Sequence, residues 1–166
     1  MSLFLFGNLF AQTAAPIIEV GQKAPDLQFE NPEGELIKLS KINKKRIVLL
    51  DFWASWCGPC RRANPAMVAF HEEFKDKKYT KARKGFAILS ISLDKDKKKW
   101  MDAIAKDQLD WPWHMSDLGG WKSAPAVTYG VRSIPQCILL DAKGMIIGKY
   151  RTAEECKSDL EKLLCE

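Results

Sequence analysis

The chain has 166 residues, 46% of them hydrophobic and 28% charged, with a formal net charge of +5. That length suits one domain of ordinary size, and that balance suits a soluble globular fold. The basic excess does not predict a nucleic-acid surface, because 21 acidic residues are interspersed among the cations, including those between Lys75 and Lys99. No apolar run is long enough to cross a bilayer.

The first dozen residues differ from the rest. Leu3 to Ala11 is a short apolar stretch, and Leu9-Phe10-Ala11 before Gln12 resembles the end of a cleaved signal peptide, although no basic segment precedes it. Residues 1–20 are read as a signal-peptide remnant or N-terminal tail, and 21–166 as the folded domain. An extracytoplasmic, periplasmic location follows from that reading. Two short strands are expected next, Leu27 to Glu30 and Leu36 to Leu39, around the turn Asn31-Pro32-Glu33-Gly34. Ile47 to Trp53 is nearly all apolar and β-favouring, as a strand buried on both faces should be.

A helix is expected to open near Pro59, with Met67, Phe70 and Phe74 at helical spacing. Phe86 to Leu93 reads as another buried strand, and Trp100, Ala103 and Ile104 mark another amphipathic helix. Trp111 to Tyr129 gives no clear pattern. Gln136 to Leu140 and Met145 to Tyr150 form a hairpin through Asp141-Ala142-Lys143-Gly144. Cys156, Leu160, Leu163 and Leu164 place a final helix at the C-terminus, and a persistent helix would hold Cys156 and Cys165 too far apart to bridge. The order predicts an α/β fold with a central mixed sheet covered on both faces and an added N-terminal β-hairpin.

The chemistry concentrates in Trp56-Cys57-Gly58-Pro59-Cys60, directly after a buried strand. Two cysteines three apart at a helix start can close a disulfide. The free N–H groups and partial positive charge of that helix end favour a thiolate at Cys57, whose pKa should fall from about 8.5 toward 7. Pro59 suits a first turn because its missing N–H has no helical partner there. Cys57 is then the attacking sulfur and Cys60 the resolving one. Half of a zinc site would need further ligands at suitable spacing, and Cys137, Cys156 and Cys165 supply no second pair. No metal or other cofactor is expected beyond the redox-active pair.

The segment Leu50-Asp51-Phe52-Trp53-Ala54-Ser55-Trp56-Cys57-Gly58-Pro59-Cys60 resembles the active-site segment of thioredoxins. From Gly21 onward the chain is similar to the TlpA/ResA-like thiol–disulfide oxidoreductases. Lys23-Ala24-Pro25-Asp26, Tyr129-Gly130-Val131-Arg132-Ser133-Ile134-Pro135 and Asp141-Ala142-Lys143-Gly144 carry the likeness in order. The resemblance implies a thioredoxin fold, protein disulfide substrates and a membrane-linked thiol electron donor; a monomer is expected. It leaves cytochrome c maturation, repair of mispaired disulfides and stress defence open as settings. A Gly-Pro dipeptide between the cysteines looks like the reducing thioredoxins, with potentials near about −270 mV.

The resemblance also implies that Pro135 is cis and faces the cysteines, which leaves the backbone at Ile134 free to pair with an extended substrate. Trp56, Gly58, Pro59, Ile134 and Pro135 are the expected substrate contacts, although Trp56 suits core packing equally well. Asp51 stands in an apolar strand, where ionisation is costly, so its pKa should rise and it could exchange a proton with Cys60. A solvent-facing or merely hydrogen-bonded Asp51 is the alternative. Packing roles are expected for Trp111, Trp113, Trp121 and His114, and a helix-surface position for His71.

Two other functions compete. A thiol peroxidase of the same fold typically has a threonine three residues before its nucleophile, where this chain has Ala54. A metal or haem-maturation chaperone would use a wider cysteine spacing and a distant histidine. The chain departs from the TlpA/ResA-like pattern after Cys60. The acid common three residues on is Ala63 here, and Arg61 and Arg62 precede it. Both changes should favour a thiolate.

Overall fold

The computed structural model describes residues 18–165. The signal-peptide reading concerns residues of which 1–17 lie outside that span. Ile18, assigned above to the tail, is buried in the core.

Chain order begins with β1 (Gln28–Glu30) and β2 (Leu36–Lys38), an antiparallel hairpin forming its own two-stranded sheet. Gly34 turns it with φ of +85°, a conformation only glycine adopts freely. Leu39, expected to end the second strand, instead starts the short helix α1 (Leu39–Ile42) and buries its side chain with Ile42. The main sheet follows as β3 (Ile47–Trp53), β4 (Phe86–Ser92), β5 (His114–Met115), β6 (Gln136–Leu140) and β7 (Ile146–Tyr150), in spatial order β5-β4-β3-β6-β7. β3, β4 and β5 run parallel, while β6 and β7 are antiparallel to their neighbours.

Every residue of β3 and β4 is buried. Their apolar runs are therefore what a central strand covered on both faces requires. The helices are α2 (Gly58–Phe74), α3 (Lys97–Lys106), α4 (Ala124–Thr128) and α5 (Lys157–Glu161). α2 buries Met67, Phe70 and Phe74, in agreement with their helical spacing, and carries Pro65 inside it. Asp96 caps α3 by accepting from the Lys99 N–H at 3.0 Å.

Two regions depart from expectation. The unpatterned middle contains β5, a 3-10 turn (Gly120–Lys122) and α4. The C-terminal helix stops at Glu161 rather than reaching Leu164. The residues after it pair with the segment before β4: Leu164 bridges Tyr79, and the Cys165 N–H donates to the Lys78 carbonyl at 3.0 Å. Cys156 and Cys165 are both free, Cys156 buried and Cys165 exposed, although the helix does not persist between them.

Candidate active site

β3 delivers Asp51, then the chain turns through Ala54, Ser55 and Trp56 into α2. Cys57 is the N-cap residue, extended at φ −82° and ψ 101°, and its sulfur accepts the Cys60 N–H at 3.2 Å. That sulfur occupies the place an N-capping oxygen usually takes. Gly58 and Pro59 form the exposed first turn. Cys57 and Cys60 are joined as a disulfide with Cα atoms 5.2 Å apart. The pair lies almost flush with the surface: Cys57 is 5% exposed and Cys60 1%. Cys57 is the outer sulfur, but far less open than an exposed thiol.

The turn before Cys57 is tied down by polar contacts. Asp94, just after β4, accepts from the Ser55 N–H at 2.9 Å, the Ser55 hydroxyl at 2.5 Å and the Ser92 hydroxyl at 2.7 Å. Arg61 donates to the Ser55 carbonyl at 3.0 Å and forks onto Asp107 at the end of α3. Asn64 donates to the same carboxylate at 2.6 Å. The hydrogen bond to Asp107 holds the Arg61 pKa above its ordinary value. At Asp107 partial burial works upward, but the hydrogen bonds from Arg61 and Asn64 outweigh it and hold the carboxyl below its ordinary value. The sequence presents both arginines as free cations near the cysteines. The structure corrects this: Arg61 is neutralised by Asp107, which leaves Arg62, whose guanidinium lies over Gly58.

Asp51 is 3% exposed, which excludes the solvent-facing alternative. Burial pushes its carboxyl from 3.8 up to about 7, against a hydrogen bond from the Ser90 hydroxyl at 3.0 Å. Sheet register explains the arrangement. Asp51 lies opposite Ser90 on β4 and opposite Cys137 on β6, so the three polar side chains share one level. Ser90 in turn accepts from the Trp111 indole at 3.1 Å. Sequence reasoning misses Ser90 and Trp111 as Asp51's supports. The one available signal is a serine at the centre of an apolar strand. A small cavity of about 10 Å³, the lower limit for one water, is lined by Asp51, Cys60, Ala63, Pro135, Cys137 and Glu154 among others. Cys137 is wholly buried, and burial raises its thiol well above the ordinary value and pushes Cys156 up to about 12. Neither ionises near neutral pH.

The Ile134–Pro135 bond is cis, and the Ile134 carbonyl lies 3.8 Å from the Cys57 sulfur. Trp56 is 53% exposed, so surface rather than core is its place. Its indole N–H donates to the Leu93 carbonyl at 3.3 Å. Trp121, expected in the packing, is 50% exposed with its ring centroid 6.0 Å from that of Trp56. Trp111 and His114 do pack internally, their rings stacked at 5.8 Å, and burial lowers the His114 pKa to about 4. His71 leans against Trp111 at 5.2 Å rather than standing free on the helix surface.

A disulfide at a helix start, a cis-proline loop beside it and a buried acid behind it, on this sheet topology, define a thioredoxin-fold dithiol protein. Over residues 19–164 the chain matches the Redoxin family, and it belongs to that family. It is 29% identical over 147 residues to "Thiol-disulfide oxidoreductase ResA" of Bacillus thuringiensis subsp. konkukian, covering 89% of this chain and 78% of the relative. It is 33% identical over 132 residues to "Thioredoxin-like protein YneN" of Bacillus subtilis, covering 78% of this chain and 69% of the relative. A solved thiol–disulfide oxidoreductase from Bacteroides fragilis superposes with a TM-score of 0.76 at 35% identity, covering 86% of this chain and 100% of that one. The thioredoxin domain of a Bacteroides vulgatus thiol–disulfide oxidoreductase gives 0.73 at 27%, covering 87% and 97%. Within its family the chain is a TlpA/ResA-like thiol–disulfide oxidoreductase.

Proposed function

We propose that this enzyme reduces or exchanges disulfides of secreted proteins, with Cys57 attacking, Cys60 resolving and Asp51 moving the proton. The observation that carries the reading is the Cys57–Cys60 disulfide at the start of α2, with the buried Asp51 sharing a cavity with Cys60. In the reduced enzyme the Cys57 thiolate attacks one sulfur of the substrate disulfide. A mixed disulfide forms, and the substrate's other sulfur leaves as a thiolate. Cys60 gives its proton to Asp51 and attacks the Cys57 sulfur. The substrate's second sulfur leaves, and the pair closes as it stands in the structure. A carboxyl titrating near neutrality can both take and return that proton. Trp56, Gly58, Pro59, Ile134 and Pro135 border the attacking sulfur and form the substrate surface.

In this proposal a membrane-linked dithiol donor regenerates the pair by the same exchange in reverse, no other cofactor takes part, and the enzyme acts as a monomer outside the cytoplasm. The apolar Leu3 to Ala11 stretch with its small residue before Gln12 supports that location. Among the described residues no helix is long and apolar enough to cross a membrane.

Trapping tests the roles. Cys60→Ser should accumulate mixed disulfides at Cys57, and alkylation of the reduced enzyme should label Cys57 first with an apparent pKa below about 8. Adducts formed at Cys60 in a Cys57→Ser variant, with none at Cys57 in Cys60→Ser, would reverse the assignment.

A further inference from the structure

Beside the disulfide a groove of about 410 Å³ opens between the loop after β4 and the 3-10 turn at Gly120–Lys122. Its walls are the half-exposed rings of Trp56 and Trp121, tilted 56° to one another, with Leu93 also lining it. The volume falls in the range of sites that seat a side chain or small ligand, about 300–1,000 Å³. Two large aromatic faces left open to water, side by side, mark a recognition surface rather than a core. The Trp56 ring is held by its bond to the Leu93 carbonyl, so one wall is preformed.

The charges around the groove are unequal in availability. Asp94 is 1% exposed and accepts three hydrogen bonds from Ser55 and Ser92. Asp96 accepts from the Lys99 N–H to cap α3. Lys95 and Lys99 also line the groove, and among the described residues neither has an ion-pair partner. The Lys95 stem crosses Gly120, where a Cβ would meet its Cε at 2.5 Å, so glycine there lets the stem lie along the groove. Asp94 is turned inward, Asp96 stays exposed but is engaged at the start of α3, and both lysines are exposed beside it.

We infer that this groove is a specificity subsite: it seats an aromatic or large aliphatic side chain of an acidic substrate segment, next to the half-cystine that Cys57 attacks, with Lys95 and Lys99 meeting the segment's carboxylates. The inference rests on the disulfide-exchange reading and deepens it by naming the substrate class. Continuity supports it, since Trp56 belongs to the groove and directly precedes Cys57. The geometry assigns Trp121 to the apolar preference and the two lysines to the acidic one.

The test uses cystine peptides of equal length that differ near the cystine: Phe with Glu, Gly with Glu, Phe with Lys, and Gly with Lys. Reduction by the full chain is followed as kcat/KM, beside reduction of uncharged hydroxyethyl disulfide. The wild type should reduce the Phe/Glu peptide about tenfold or more faster than the Gly/Lys peptide. Trp121→Ala should erase the Phe preference and keep the Glu preference. A Lys95→Gln/Lys99→Gln variant should do the reverse, and salt should weaken the Glu preference in the wild type. Equal rates on all four peptides, with hydroxyethyl disulfide still reduced by the wild type, overturn the subsite and leave the exchange reading standing. Preferences that persist unchanged in both variants also overturn it. Failure of the wild type on hydroxyethyl disulfide would instead sink the exchange reading itself.

Discussion

Replacing Asp51 by asparagine removes a charge from the centre of the sheet, and the structure fixes how the effect should depend on pH. The carboxyl titrates at 3.8 when solvated and at about 7 in the fold. At about 1.4 kcal/mol per pKa unit, keeping it ionised in the folded protein costs about 4 kcal/mol. An acid with a raised folded pKa costs nothing below 3.8, where it is protonated in both states. The cost grows as pH rises toward 7 and is constant above that. An asparagine amide can still accept the Ser90 hydroxyl, so the packing and that hydrogen bond survive the change. Urea unfolding of the two oxidised proteins at a series of pH values from about 4 to 9 measures the difference. The Asp51→Asn variant should gain on the wild type by up to about 1.4 kcal/mol per pH unit between about pH 4 and 7, then level off. In stopped-flow exchange the same variant should lose rate in the steps where Cys60 gains or loses a proton. A stability difference that is flat across the whole range would refute both the raised pKa and the proton-carrying role built on it.

Three further outcomes follow from the same geometry. Ser90→Ala removes the donor that favours ionised Asp51, so the pH–rate profile of the exchange should move alkaline by about one to two pKa units, and an unmoved profile would separate Asp51 from the rate. Burial holds the His114 pKa at about 4 against an ordinary 6.5, so the unfolded chain takes up a proton first on acidification; the His114 contribution to stability should fall by about 3 kcal/mol between pH 6.5 and 4, opposing the Asp51 gain, and His114→Phe should gain on the wild type by that amount over the same window. Ala63→Glu places an acid at the cavity shared by Asp51 and Cys60, and should raise the apparent pKa of the cysteine pair and make its potential more negative, as read by alkylation and by equilibration against glutathione; both left unchanged, or a lowered pKa, would overturn the role carried over to position 63.

The parts of the fold legible in the sequence are those with a strong local signal. Ile47 to Trp53 announces a doubly buried strand because each residue is apolar except Asp51, and that exception marks the acid. Cys57 and Cys60 announce themselves by spacing and by Pro59, while Pro135 needs the family resemblance. β5 is two residues long and has no period to read. The C-terminal residues have helical spacing, yet Leu164 and Cys165 take backbone partners far back in the chain, at Tyr79 and Lys78, that no local pattern encodes. The same limit hides the Arg61–Asp107 pair, which joins two helices, and the exposure of Trp121, a large apolar residue in a stretch without periodic pattern.

The Arg61–Asp107 pair bears on how the proposed mixed disulfide comes apart. Once Cys57 is bonded to a protein substrate, any tug from that substrate pulls on the first turn of α2. Arg61, the next residue after Cys60, is anchored at two places off its own helix, the Ser55 carbonyl and the Asp107 carboxylate. The anchor keeps the resolving sulfur at striking distance while the load is carried elsewhere. Attack from within then competes at an effective molarity of up to about 10⁵–10⁸ M, far above any dissolved thiol, and the substrate is released by its own enzyme before a stray thiol can intervene.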